Sequence, residues 1–120
     1  NGLVMVDGFS VGDVQDVVIR DRQMLSKDGI FIIFGIINAA TGKLKKSPDI
    51  ISRGFVYLRE SQELLNGVRM AIKDSIEVSS RNMNPINIDT ITDAVTDNVS
   101  KYLLQETSKR PMVIPVILTI

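Results

Sequence analysis

The sequence predicts an α/β (α+β) fold, a two-layer sandwich in which a small three-stranded sheet carries two amphipathic helices on one face. Three observations lead there. Two long stretches, residues 60 to about 80 and about 89 to 108, place apolar residues at helical spacing. Three short runs, at residues 30–37, 50–58 and 112–120, are rich in β-branched and aromatic residues. Their order is strand, strand, helix, helix, strand, and packing both helices on one sheet face satisfies both apolar stripes.

The elements follow in chain order. Leu3-Val4-Met5-Val6 is a short strand-like run closed by the turn pair Asp7-Gly8. A chain that opens directly on a strand predicts a cut edge, with the strand pairing to a sheet that lies elsewhere. Residues 13–27 read as a helix: Val14, Val17, Val18, Met24 and Leu25 fall near one face, and Asp28-Gly29 follows. Asp13 and Asp16 in the first turn and Lys27 in the last suit the helix dipole. Ile-Phe-Ile-Ile-Phe-Gly-Ile-Ile at 30–37 lacks any polar alternation, the pattern of a central strand covered on both faces.

Thr41-Gly42-Lys43 marks a hairpin loop, and a second strand follows Pro48 over residues 50–58. Arg53 and Gly54 interrupt its apolar run, which predicts a bulge or a close backbone approach. In the first long helix Leu64, Leu65, Val68, Ala71, Ile72 and Ile76 make the stripe, with Ser61 as N-cap. Residues 81–87, with Pro85 and three asparagines, form a loop. In the second helix Ile91, Val95, Val99, Tyr102 and Leu103 face inward. The last strand contains Pro115, which cannot donate to a ladder, so this strand belongs at a sheet edge or is bulged there. There is no internal repeat and no low-complexity tract.

Composition narrows function. A chain of 120 residues, 44% hydrophobic, supports one core. It contains no cysteine and no histidine, which removes disulfides, thiolate metal sites, and both the commonest general base and the commonest zinc ligand. Basic and acidic residues balance at 14 each, so the whole chain exerts no net pull on nucleic acid. The charge is nevertheless uneven. Residues 43–59 hold five basic side chains and one acid, Asp49, whereas residues 60–107 hold eight acids and four bases. No apolar run approaches the ~20 residues of a membrane span, and no secretory signal is present, so the expected location is cytoplasmic.

The basic stretch is the first candidate site: Lys43, Lys45, Lys46, Arg53 and Arg59 are placed to contact RNA phosphates. The plain reading of the three lysines is a solvated hairpin tip. Arg53 and Arg59 flank Phe55 and Tyr57, and two readings stay open: arginines beside exposed aromatics that stack bases, or Phe55 in the core with Arg53 partnering a carboxylate. Asp13, Asp16 and Asp21 have the spacing of a helical face and no histidine completes a metal site. The glycines of Gly8-Phe9-Ser10-Val11-Gly12-Asp13 lack the lysine of a phosphate-cradling loop and the third glycine of a dinucleotide fingerprint. Ser47, Ser52 and Ser61 have no histidine to activate them. No residue set for catalysis by this chain alone emerges.

Three blocks together resemble a known family. Val6-Asp7-Gly8, Val11-Gly12-Asp13-Val14 and Val17-Val18-Ile19-Arg20-Asp21-Arg22 resemble the junction at which ribonuclease J leaves its metallo-β-lactamase core. Ser47-Pro48-Asp49-Ile50-Ile51-Ser52-Arg53-Gly54-Phe55-Val56-Tyr57, followed by Arg59-Glu60-Ser61, looks like the signature stretch of that family's C-terminal domain. Lys109-Arg110-Pro111-Met112-Val113-Ile114-Pro115-Val116 is similar to its last strand. The resemblance implies a junction segment over residues 1–28 and the C-terminal domain over 29–120.

It further implies a parent with 5′-to-3′ exoribonuclease and often endoribonuclease activity in RNA processing and decay. That parent's metallo-β-lactamase/beta-CASP core would bind two divalent metals, zinc or manganese. None of the core's motifs is present, so no catalytic or metal residue carries over and no cofactor is expected here. The family's C-terminal domain is associated with assembly and support of activity, which implies self-association as a dimer or tetramer and contact with the catalytic core. The expected interface is the final strand, Met112, Ile114, Val116 and Leu118, with the helix face around Val99, Tyr102 and Leu103. The alternative is a module binding single-stranded RNA through Arg53, Arg59 and the basic hairpin.

Overall fold

The computed structural model describes residues 27–55 and 61–120. The expected strand at residues 3–6 and helix at 13–27 lie outside them, apart from Lys27, as do the junction aspartates, Tyr57 and Arg59.

The fold is the expected one: strands β1 (Ile30–Ile37) and β2 (Asp49–Arg53), helices α1 (Ser61–Ser80) and α2 (Ile88–Thr107), and strand β3 (Met112–Thr119). The sheet order is β2-β1-β3. β1 runs antiparallel to β2 and parallel to β3 over its whole length, from Ile30↔Met112 to Ile37↔Thr119. The uninterrupted apolar sequence of β1 thus occupies the middle of the sheet, where both faces are shielded, and Pro115 sits in an edge strand, where a missing donor costs least.

Alternation along β1 divides the core in two. Phe31, Ile33 and Ile37 face the helices and meet Leu64, Val68, Ile72 and Ile76 of α1 and Ile91, Val95, Val99 and Leu103 of α2. Each fully buried isoleucine or leucine there contributes roughly 1.5–3 kcal/mol of transfer free energy. Ile30, Ile32 and Phe34 face the other way and cluster with Ile51, Met112, Ile114 and Val116. Among the described residues, this second cluster is made of strand residues alone.

The two helices cross closely. A methyl group at Gly67 of α1 would overlap the ring and hydroxyl of Tyr102 on α2, so a larger residue there requires the Tyr102 ring to move. A part-buried polar bridge adds to it: the buried Ser75 Oγ donates to the Ala71 carbonyl at 2.6 Å and accepts from the exposed Asn98 Nδ2 at 2.9 Å. α2 begins at Asn87, whose side chain accepts from the Thr90 amide, and ends where Ser108, at φ 60°, donates its N–H to the Leu104 carbonyl.

β2 is shorter than the apolar run predicts, ending at Arg53 rather than continuing to residue 58. The cause is the close approach expected at Arg53-Gly54. Gly29, at φ 89°, abuts the Arg53 carbonyl and the Gly54–Phe55 backbone with no room for a Cβ, and Gly54 itself turns to φ 71°. On its other side the start of β1 is tied to the segment leading into β3: Met112 N–H donates to the Gly29 carbonyl and Arg110 N–H donates to Asp28 Oδ2, both at 2.8 Å.

Candidate functional site

The loop joining β1 to β2 is a rigid platform. Asn38 Oδ1 accepts from the amides of Ala40 and Thr41 at 2.8 and 3.2 Å, while the Asn38 amide donates to the Lys43 carbonyl at 2.8 Å. Lys45 N–H donates to the Ile36 carbonyl, and Leu44 bridges to Ile37. Ser80 at the end of α1 donates its hydroxyl to the Gly42 carbonyl at 3.3 Å, which fixes the loop against the helix.

Between this loop and α1 lies an open cleft of about 680 Å³. The loop lines it with Lys43, Leu44, Lys46, Ser47 and Pro48. One face of α1 supplies Asn66, Arg69, Met70, Lys73, Ile76 and Glu77, positions three, four and seven apart that share a side of a helix. Among the described residues four cations therefore meet one carboxylate, together with the apolar Leu44, Pro48, Met70 and Ile76. Met70 is 57% exposed there.

Charge in the cleft is little neutralised. Arg69 Nη1 donates to the neutral Asn66 Oδ1 at 3.0 Å. The one ion pair among the described residues joins Lys46 to Asp49 at 3.9 Å, with both ends exposed, a pair of the kind that contributes little.

The expected basic residues thus separate. Lys43 and Lys46 come together with Arg69 and Lys73; Lys45 is exposed beside the cleft without lining it. Arg53 lies at the other end of the sheet, opposite Ile30, roughly 20 Å along β1 from the loop at the usual strand rise. It is exposed, and its Nη1 donates to the Ser52 carbonyl at 2.8 Å. Of the two open readings for Phe55, the structure takes the core: its ring meets Phe31 edge-on at 4.9 Å and joins the main cluster. Arg69 and Lys73 escaped sequence reasoning because they sit in the acid-rich half of the chain. Their signal was two cations four apart beside an apolar Met70 on the polar face of a helix.

The expected interface residues also separate. Met112, Ile114 and Val116 share the sheet face turned away from the helices, with Leu118 in phase with them at 39% exposure. Tyr102 is half-buried over Gly67, and Val99 and Leu103 are fully buried within the core of this chain. Among the described residues no group of acidic side chains is arranged to hold a metal ion, and no helix is long and apolar enough to cross a membrane.

The pattern of the ribonuclease J C-terminal domain family matches residues 17–120, which include every described element. The chain belongs to that family. Ribonuclease J 2 of Staphylococcus saprophyticus subsp. saprophyticus is 40% identical over 117 residues, and ribonuclease J 2 of Staphylococcus aureus strain NCTC 8325 is 38% identical over the same length. Each alignment takes in 98% of this chain and 21% of the relative, so the chain spans about a fifth of the length of these curated relatives. The described part of this ribonuclease J C-terminal domain is a three-stranded mixed sheet backed by two helices, with a basic cleft at one end and an apolar sheet face opposite the helices.

Proposed function

We propose that this ribonuclease J C-terminal domain is a non-catalytic support module of a cytoplasmic, metal-dependent ribonuclease. It promotes assembly of that enzyme into a dimer or tetramer and docks against its catalytic core. The observation that carries this reading is the row Met112, Ile114, Val116 and Leu118, which alternates along an edge strand onto the sheet face turned away from α1 and α2, with Leu118 exposed. An edge strand with apolar side chains on one face is a surface that favours a protein neighbour. The chain contains no histidine, so the two divalent metals and the hydrolytic chemistry belong to the catalytic core.

Light scattering across a concentration range tests the assembly role. The expected result is a dimer or larger species that Leu118→Lys shifts toward monomer, with unchanged circular dichroism. A monomeric chain, together with a parent enzyme whose molar mass Leu118→Lys leaves unchanged, would remove assembly through β3.

A further inference from the structure

We propose that the cleft between the β1–β2 loop and α1 binds the phosphate backbone of single-stranded RNA, with Lys43 and Lys46 on the loop side and Arg69 and Lys73 on the helix side. The choice of RNA as the polyanion rests on the ribonuclease reading of the parent; the geometry of the site does not depend on the assembly role.

Several features converge on a polyanion. Among the described lining residues, four cations to one carboxylate, Glu77, is a local excess in a chain whose charges balance as a whole. Arg69 and Lys73 stand four apart on α1, a like-charge pair that weakens a helix unless an anion lies between them. Among the described residues no carboxylate comes within ion-pair distance of Lys43, Arg69 or Lys73, although Glu77 stands one turn beyond Lys73, and Lys46 has a long exposed pair with Asp49. The cations come from both sides of the cleft, Lys43 and Lys46 from the loop and Arg69 and Lys73 from α1, so an anion held in it is contacted from two elements. The loop wall is held by its own hydrogen bonds and by Ser80, so little ordering is lost on binding. Ser47 and Asn66 add neutral groups suited to phosphate or ribose oxygens.

The cleft also indicates the mode of binding. Among the described residues no aromatic side chain lines it, so the site as described reads phosphates rather than stacked bases and sequence preference is weak. Affinity is then electrostatic and salt-dependent. Arg53, at the far end of the sheet, takes no part.

Fluorescence anisotropy of the 120-residue chain with labelled oligo(U) and oligo(A) decides the matter. The two RNAs bind with similar affinity, which falls about twentyfold for a threefold rise in salt if four phosphates are contacted. The double variant Arg69→Ala/Lys73→Ala lowers affinity at least tenfold and roughly halves the salt slope. Lys43→Gln/Lys46→Gln on the exposed loop does the same and carries the test if the helix variant fails to fold. The charge-matched pair Lys101→Ala/Arg110→Ala, exposed and outside the cleft, leaves binding intact. Absent binding, salt-indifferent binding, or cleft variants that bind like the parent chain would each overturn the proposal. So would poly-glutamate competing as well as RNA at equal charge, which would make the cleft a protein-docking site. Molar mass, read on the same samples, reports separately on assembly through β3.

Discussion

Tyr102 and Gly67 set how near the two helices come. The usual gain from replacing a helical glycine by alanine, about 1 kcal/mol, is reversed here, because the new methyl falls on the Tyr102 ring. Gly67→Ala is expected to destabilise the chain by roughly 1–3 kcal/mol, the cost of overpacking, seen as a lower urea midpoint. Combined with Tyr102→Leu, the two costs should not add, since they share one contact. At Asn87 the effect is simpler: its side chain satisfies an amide in the first turn of α2, and Asn87→Ala should cost about 1 kcal/mol in the same measurement. Single residues were unevenly legible in the sequence. Pro115 announced an edge and Arg53-Gly54 a close approach, because proline and glycine act through the backbone of their own segment. The contact of Tyr102 with Gly67 joins positions on different helices, and no local pattern encodes it.

Among the elements, β1 holds the sheet together. It is bonded on both sides, and Phe31, Ile32, Ile33 and Ile37 are at most 1% exposed. Native-state hydrogen exchange should find its amides the slowest in the chain, with β2 and the outer edge of β3 exchanging faster; equal protection along all three strands would contradict this. β1, α1, α2 and β3 could be read closely because apolar residues recur at 3.6 spacing, or without interruption, over eight residues or more. β2 could not, since its apolar run continues past Arg53 and only the contact with Gly29 determines where pairing stops. The basic site was half legible for a related reason. Tallying charge along the chain found Lys43 and Lys46 but grouped Arg69 and Lys73 with the acids of their own helix. The face of α1 that turns toward the loop is fixed by its apolar stripe, and following that stripe around the helix locates the two cations.

At the scale of the whole molecule, the two candidate surfaces occupy different parts of the fold. The basic cleft lies on the helix side, at the loop end of the sheet, and the row Met112, Ile114, Val116 and Leu118 lies on the opposite face. A chain arranged in this way can hold a neighbour by one face while the other stays open, and the two sets of variants described above should separate cleanly: Leu118→Lys alters molar mass, Arg69→Ala/Lys73→Ala alters polyanion binding, and neither alters both.

The parallel pairing of β1 with β3 has a consequence for how the domain is made. The two strands that bond along their entire length are separated by β2 and both long helices, with Ile30 opposite Met112. Contacts between such distant positions form slowly, because a large loop must close before they reward it. A nascent chain leaving the ribosome thus presents β1 and β2 with one side of the sheet still unbonded, through all the time that α1 and α2 take to emerge. Its most apolar strand waits for a partner synthesised after both helices, and a chain halted before Met112 would expose that strand to proteases and chaperones rather than to its own core.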